Sequence, residues 1–169
     1  MMLCAIAKID SGSRDRLVEL AKLTQAFGIP PRNVHGHITL ATYTGDDEDG
    51  FMSSCKAVLS GYEKFSVCYD KIEVWNPSTI IVAVPRKEGT IAAVQKEISR
   101  GWAADLDKWT QEDVWQPHTT LVVNPQADFN AIAEAMQGIF EPFSARVNEI
   151  EFSRVYEDGY EVVDCVELR

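Results

Sequence analysis

The chain carries one tetrapeptide pattern twice, each time inside an apolar run: His37-Ile38-Thr39-Leu40 and, 81 residues later, His118-Thr119-Thr120-Leu121. If both runs are β-strands, alternate side chains share a face, so each histidine projects beside the threonine two residues on. A second echo has nearly the same offset. Phe65-Ser66 followed by Ile72-Glu73 matches Phe143-Ser144 followed by Ile150-Glu151, 78 residues apart. Two matches at nearly one offset point to an internal duplication, with a period too long and too few copies for a solenoid. The expected architecture is α+β: a duplicated, pseudo-two-fold, bilobal fold in which two antiparallel β-sheets line a central cleft and helices pack on the outside. Residues 1–169 are read as a single domain of two lobes, approximate repeats 1–78 and 79–169.

Element order fits two copies of one scaffold. Leu3 to Ile9 is apolar enough for a buried strand, and Ser11-Gly12-Ser13 offers cap chemistry before Leu17, Leu20, Ala21, Thr24 and Phe27 take up helical spacing. Gly28 stands where a C-cap glycine belongs, and Pro30-Pro31 stops the helix from resuming. The first motif strand covers residues 34–43, with Gly36 as a bend into it. A helix over 50–61, a strand over 65–75, a turn at Asn76-Pro77-Ser78 and a returning strand over 79–84 follow. The second half repeats helix (88–109), motif strand after Pro117, helix capped by Asp128, and a hairpin turning at Glu157-Asp158-Gly159. Trp102 and Trp109 are expected as buried anchors of the long helix.

Charge limits the partners. Sixteen basic residues against twenty-six acidic give a formal net charge of −10, which repels the phosphate backbone of a long nucleic acid. Any nucleic-acid substrate should be short or an end. The four cysteines, Cys4, Cys55, Cys68 and Cys165, have no paired short spacing, so reduced, mostly buried thiols are expected. The first apolar run is broken by Lys8 and Asp10, too early for a membrane span, and a cytoplasmic monomer with no membrane partner is the expectation. The acidic run Asp46-Asp47-Glu48-Asp49 is read as a solvated loop or helix start.

The two pairs suit one kind of chemistry. Histidine has an unperturbed pKa near 6.5, so one of two can be neutral while the other is protonated. A ribose 2′,3′-cyclic phosphate or a 2′-5′ phosphodiester needs a proton taken from the attacking oxygen and one given to the leaving oxygen. Two histidines facing across a cleft supply both, and threonine hydroxyls can donate to the non-bridging oxygens. No cofactor and no metal is called for. His35 with His37 makes a His-x-His pair, but no third ligand is evident, and a metal-dependent hydrolase built on His35, His37 and His118 is the weakest reading.

Paired His-x-Thr-Leu motifs half a chain apart in a small duplicated α/β protein resemble the two-histidine (2H) phosphoesterase superfamily, in particular its bacterial 2′-5′ RNA ligase and cyclic phosphodiesterase group. The resemblance implies metal-independent action on 2′,3′-cyclic phosphate or 2′-5′ linkages of nucleotides or RNA ends. Catalysis would fall to His37 and His118, with Thr39 and Thr120 on the phosphate. Many ligase-like members carry an arginine soon after the second histidine, whereas this chain continues Leu121-Val122-Val123-Asn124. Lys8, Arg32 or Arg86 would have to replace it, and Arg32 is taken as a substrate-binding candidate. Tyr43 and Trp115 flank the motif strands and are candidates for stacking on a base, with core packing the competing role. The alternative function is a non-catalytic module that holds a phosphorylated nucleotide or RNA end in the same cleft.

Overall fold

A computed structural model describes residues 2–75, 79–123 and 128–169. The chain runs β1 (Met2–Ile9), α1 (Ser11–Lys22), β2 (His37–Tyr43), α2 (Glu48–Leu59), β3 (Phe65–Trp75), β4 (Ile80–Pro85), α3 (Gly89–Ser99), β5 (Thr119–Val123), α4 (Phe129–Ile139), β6 (Phe143–Tyr156) and β7 (Gly159–Glu167). The expected α+β class stands, with antiparallel strands throughout and helices beside them. The turn expected at residues 76–78 lies outside the described residues. No helix among them is long and apolar enough to cross a membrane.

The strands join into one seven-stranded sheet, ordered β2-β1-β6-β3-β4-β5 with β7 on β6. The two antiparallel sheets expected to line the cleft are continuous through the 14-residue β6, which pairs β3 through residues 143–147 and β1 through 147–155. Exchanging β1, β2 and β3 for β4, β5 and β6 returns the same order. The central register obeys the same exchange. A shift of 78 residues carries Phe65 to Phe143 and Tyr69 to Val147, and the observed pairs Phe65 with Val147 and Tyr69 with Phe143 turn into each other.

Local chemistry sets the helix ends. Asp10, rather than the Ser11–Ser13 stretch, caps α1, its carboxylate accepting from the Ser13 N–H at 2.9 Å. Asp47 caps α2 and Asp128 caps α4 in the same way, so part of the acidic run has a structural role. Gly28 ends the turn after α1 with φ of +73°, the left-handed cap its position implied.

The third helix stops ten residues early. Arg100 is extended and Gly101 takes φ of +86°, so α3 ends at Ser99 and residues 102–118 form a 3-10 turn and an irregular segment. Trp109 is therefore 61% exposed instead of a buried anchor. Trp102 remains half-buried, edge-on to Tyr43 and Phe51.

That segment closes the free edge of β2. An open strand edge leaves peptide groups to be satisfied elsewhere. Here the Thr42 N–H donates to Thr110 Oγ1, the Asp107 N–H to the Thr42 carbonyl, and the Trp115 indole N–H to the Thr39 carbonyl, at 2.8–3.1 Å. The core on the helix-covered side includes Leu3, Leu17, Ile38, Leu40, Phe51, Ile91, Leu121 and Phe152, each at most 1% exposed. Burying a side chain of this kind contributes about 1.5–3 kcal/mol.

Candidate functional site

The two motifs meet where a side chain of the second reaches the backbone of the first. His118 immediately precedes β5, and the next residue, Thr119, is buried with its hydroxyl donating to the His37 carbonyl at 2.9 Å. A hydroxyl has one proton to give. The 2.6 Å contact between Tyr69 Oη and Thr119 Oγ1 therefore has Tyr69 as donor, and a relay Tyr69, Thr119, His37 fixes one motif against the other. Trp115, at 2% exposure, adds its bond to Thr39 in the same strand. Trp115 positions β2 and has no open ring face for a base.

His118 is held on two sides. Its Nδ1 lies 2.9 Å from the Gln116 carbonyl, which can only accept, so the neutral ring carries its proton on Nδ1 and keeps a lone pair on Nε2. The Trp75 ring packs against it at 4.5 Å between centroids. Burial lowers the pKa of His118, and the Gln116 carbonyl works in the opposite direction.

His37 and Thr39 open into a cavity of about 350 Å³, lined also by Lys8, Arg32, His35, Glu151, Ser153, Tyr156 and Tyr160. The size suits a nucleotide-scale ligand. Gly36 lets the chain enter β2: its φ is +64°, and a β-carbon there would stand 2.7 Å from Arg14 Cγ. The pKa of His37 falls from 6.5 to about 4, first through burial and then through the positive charges of His35, Arg32, Lys8 and His118. A protein of net charge −10 thus gathers basic groups at one cavity, and an anion entering it would be stabilised by the same field that depresses His37.

The other candidates separate. Arg32 lines the cavity and makes no ion pair among the described residues; burial lowers its pKa. Lys8 is also there, bound to Glu151 at 3.2 Å. Arg86 is elsewhere, paired with Asp70 and Glu88. Thr120 sits in β5 opposite Val82, on the strand that carries the second motif. Tyr43 is 2% exposed and stacked on Phe51 at 4.7 Å, a core residue at the far end of β2 and not a wall of the cavity. His35 stacks on His37 at 6.3 Å and meets Tyr160 edge-on at 5.4 Å; among the described residues no three His, Cys, Asp or Glu side chains form a metal-holding group.

Sequence reasoning missed the wall supplied by β6, β7 and their hairpin: Glu151, Ser153, Tyr156 and Tyr160. The pair of tyrosines flanking the Glu157-Asp158-Gly159 turn was its one local sign. It missed Thr119 as well, because the motif drew attention to Thr120.

A search of curated proteins finds no match. Solved structures match over the whole chain. TT0787 of Thermus thermophilus superposes with a TM-score of 0.70 at 18% identity, covering 100% of this chain and 98% of that one. E. coli LigT superposes in its ATP complex with a TM-score of 0.64 at 16% identity (99% and 97% covered) and in its 3′-AMP complex with 0.61 at 14% (98% and 96%). At these identities the likeness speaks for the fold. The sequence profile of the 2′-5′ RNA ligase superfamily matches residues 11–159, a span that contains both histidine motifs and the strands that join them. The chain belongs to the 2′-5′ RNA ligase superfamily, the two-histidine phosphoesterases.

Proposed function

We propose that the protein is a metal-independent phosphodiesterase of small nucleotides or RNA ends, acting on 2′,3′-cyclic phosphate or 2′-5′ linkages, with ligation as the reverse of the same reaction. One observation carries the reading. Thr119 of the second motif donates to the His37 carbonyl of the first, a contact that supports reading the two motifs as parts of one site. The nucleotides bound to LigT, 3′-AMP, ATP and NADP+, support a ligand of this class. We read the chain as one unit of two matched halves.

In hydrolysis of a cyclic phosphate, a base takes a proton from water as its oxygen bonds to phosphorus, and an acid protonates the ribose oxygen that leaves, giving a phosphomonoester. His37 is assigned the base, since burial and its positive neighbours hold it neutral. His118 is assigned the acid: burial lowers its pKa, the Gln116 carbonyl at Nδ1–H works against that lowering, and Nε2 carries the transferred proton. In ligation a 5′-hydroxyl takes the place of water and the roles are kept; in the reverse, cleavage of a 2′-5′ linkage, the ribose hydroxyl attacks, the 5′-oxygen leaves and the two histidines exchange roles. Thr39 and Thr120 donate to the non-bridging oxygens, and Arg32 supplies the cation that the Leu121-Val122-Val123 strand lacks.

The test is an assay of a nucleoside 2′,3′-cyclic phosphate and a 2′-5′ dinucleotide with wild type, His37→Ala and His118→Ala, all in chelator. Each variant should lose about 10²-fold or more in kcat. Equal turnover by all three proteins would end the assignment, and binding without turnover by the wild type would leave a ligand-holding module in its place.

A further inference from the structure

The cavity extends well past His37, Thr39 and Arg32, the groups on its wall assigned to the phosphate; His118 and Thr120 are not among its lining residues. Its floor is a strip of β2, β1 and β6, and the register orders it. Ile6 pairs with Thr39 on one side and with Glu151 on the other, so Thr39 and Glu151 lie on one face two strand spacings apart, about 9.5 Å. That is close to the separation between the phosphorus and the Watson–Crick edge of the base in a nucleoside cyclic phosphate. Lys8, the register partner of His37, stands between the two ends.

Glu151 is a carboxylate 8% exposed at the edge of a cavity. Lys8 Nζ donates to its Oε2 at 3.2 Å and Ser153 Oγ to its Oε1 at 2.7 Å. A carboxylate has about four acceptor positions, so each oxygen retains one for a ligand. The side chain is fixed from both sides, and its remaining acceptors are directional. Tyr156 and Tyr160, 44% and 50% exposed at the hairpin, offer aromatic faces at the same end of the cavity. Aromatic rings beside a fixed hydrogen-bonding edge are how proteins hold an unstacked base.

The donor and acceptor order selects among bases. Lys8 donates and Glu151 accepts. Guanine offers the complement, the O6 acceptor followed by N1–H and N2–H donors, and it alone gives a carboxylate two adjacent donors. Adenine and cytosine each present one amine beside an unprotonated ring nitrogen, and uracil sets its single N–H between two carbonyls, so each of these places an acceptor against the carboxylate. We propose that Glu151 is a specificity-determining residue, reading the base of the nucleotide whose phosphate lies between the two motifs and favouring guanine. The proposal rests on the phosphodiesterase reading for the position of the phosphate.

Two measurements separate the two claims: kcat/KM for the four nucleoside 2′,3′-cyclic phosphates, and Kd for the four nucleoside 3′-monophosphates. The wild type should favour guanine by about 10-fold or more in both, the range of a bidentate base contact. Glu151→Gln should bring the four bases within about 3-fold of one another while adenine is handled nearly as before. Tyr160→Ala, an exposed change that leaves the ion pair intact, should weaken all four by a similar factor and preserve their order. A flat base ranking in the wild type, or a guanine preference that survives Glu151→Gln, overturns the proposal. Absence of turnover with a guanine-ranked Kd would overturn the phosphodiesterase reading and leave the base assignment standing.

Discussion

Acidification should destabilise this protein through one histidine. His37 has its pKa lowered from 6.5 to about 4 in the folded state, by burial first and by His35, Arg32, Lys8 and His118 after it. In the unfolded chain the imidazole regains its ordinary affinity for protons. Between about pH 6.5 and pH 4 the unfolded state therefore binds more protons than the native one, and stability falls as pH falls through that window. Above it the contribution is level. At about 1.4 kcal/mol per pKa unit the full loss is about 3 kcal/mol, a large share of the roughly 5–15 kcal/mol typical of a domain. The comparison is wild type against His37→Gln, which has no titration at this position while the carboxylates are common to both. Urea unfolding at steps from about pH 7.5 to pH 4.5 should show the wild type losing about 2–3 kcal/mol more than the variant. Inorganic phosphate should close much of the gap, because an anion against Lys8, Arg32 and His37 favours the imidazolium. A gap that changes by less than about 0.5 kcal/mol over this range would refute the electrostatic account of the cavity.

Other changes probe the frame of the site. Thr119→Val keeps the shape but leaves the His37 carbonyl and the Tyr69 hydroxyl without their partner, and should cost about 2–4 kcal/mol in urea unfolding and lower kcat. Gly36→Ala forces a β-carbon onto Arg14 at a φ of +64°, and should cost about 2 kcal/mol or more, read as a lower Tm. Tyr43→Phe, a core change, should leave KM for nucleotide unaltered and lower stability by about 1 kcal/mol through the lost acceptor for the Asp47 N–H. The pH profile of kcat/KM should be bell-shaped with its optimum below the ordinary histidine value, since both histidines are lowered in the free protein; a profile flat from about pH 5 to 8 would contradict two-histidine catalysis.

Local periodicity and cap chemistry made several elements legible. The alternation around His37 and after His118, the glycine at 28 and the aspartate at 128 each act within a few residues of themselves, and the corresponding strands and caps are present. The long helix expected over 88–109 failed for a related reason. Apolar spacing continues past Gly101, but a residue at φ of +86° redirects the chain whatever the pattern beyond it.

The pairing of histidine with threonine in two runs and the echo of Phe65-Ser66 in Phe143-Ser144 are legible in the order of the residues alone. Period two and a fixed offset are properties of the chain alone, and they were enough to indicate a duplicated α+β scaffold. Which residues surround the histidines depends on how the strands are paired. Thr119 reaches His37 from 82 positions away although β2 and β5 stand at opposite ends of the strand order, and Glu151 reaches Lys8 from 143 because β6 pairs with β1. The field that depresses His37 also exists only in the folded chain: Lys8, Arg32 and His35 come from two separate parts of the chain, and burial raises the cost of a further charge among them.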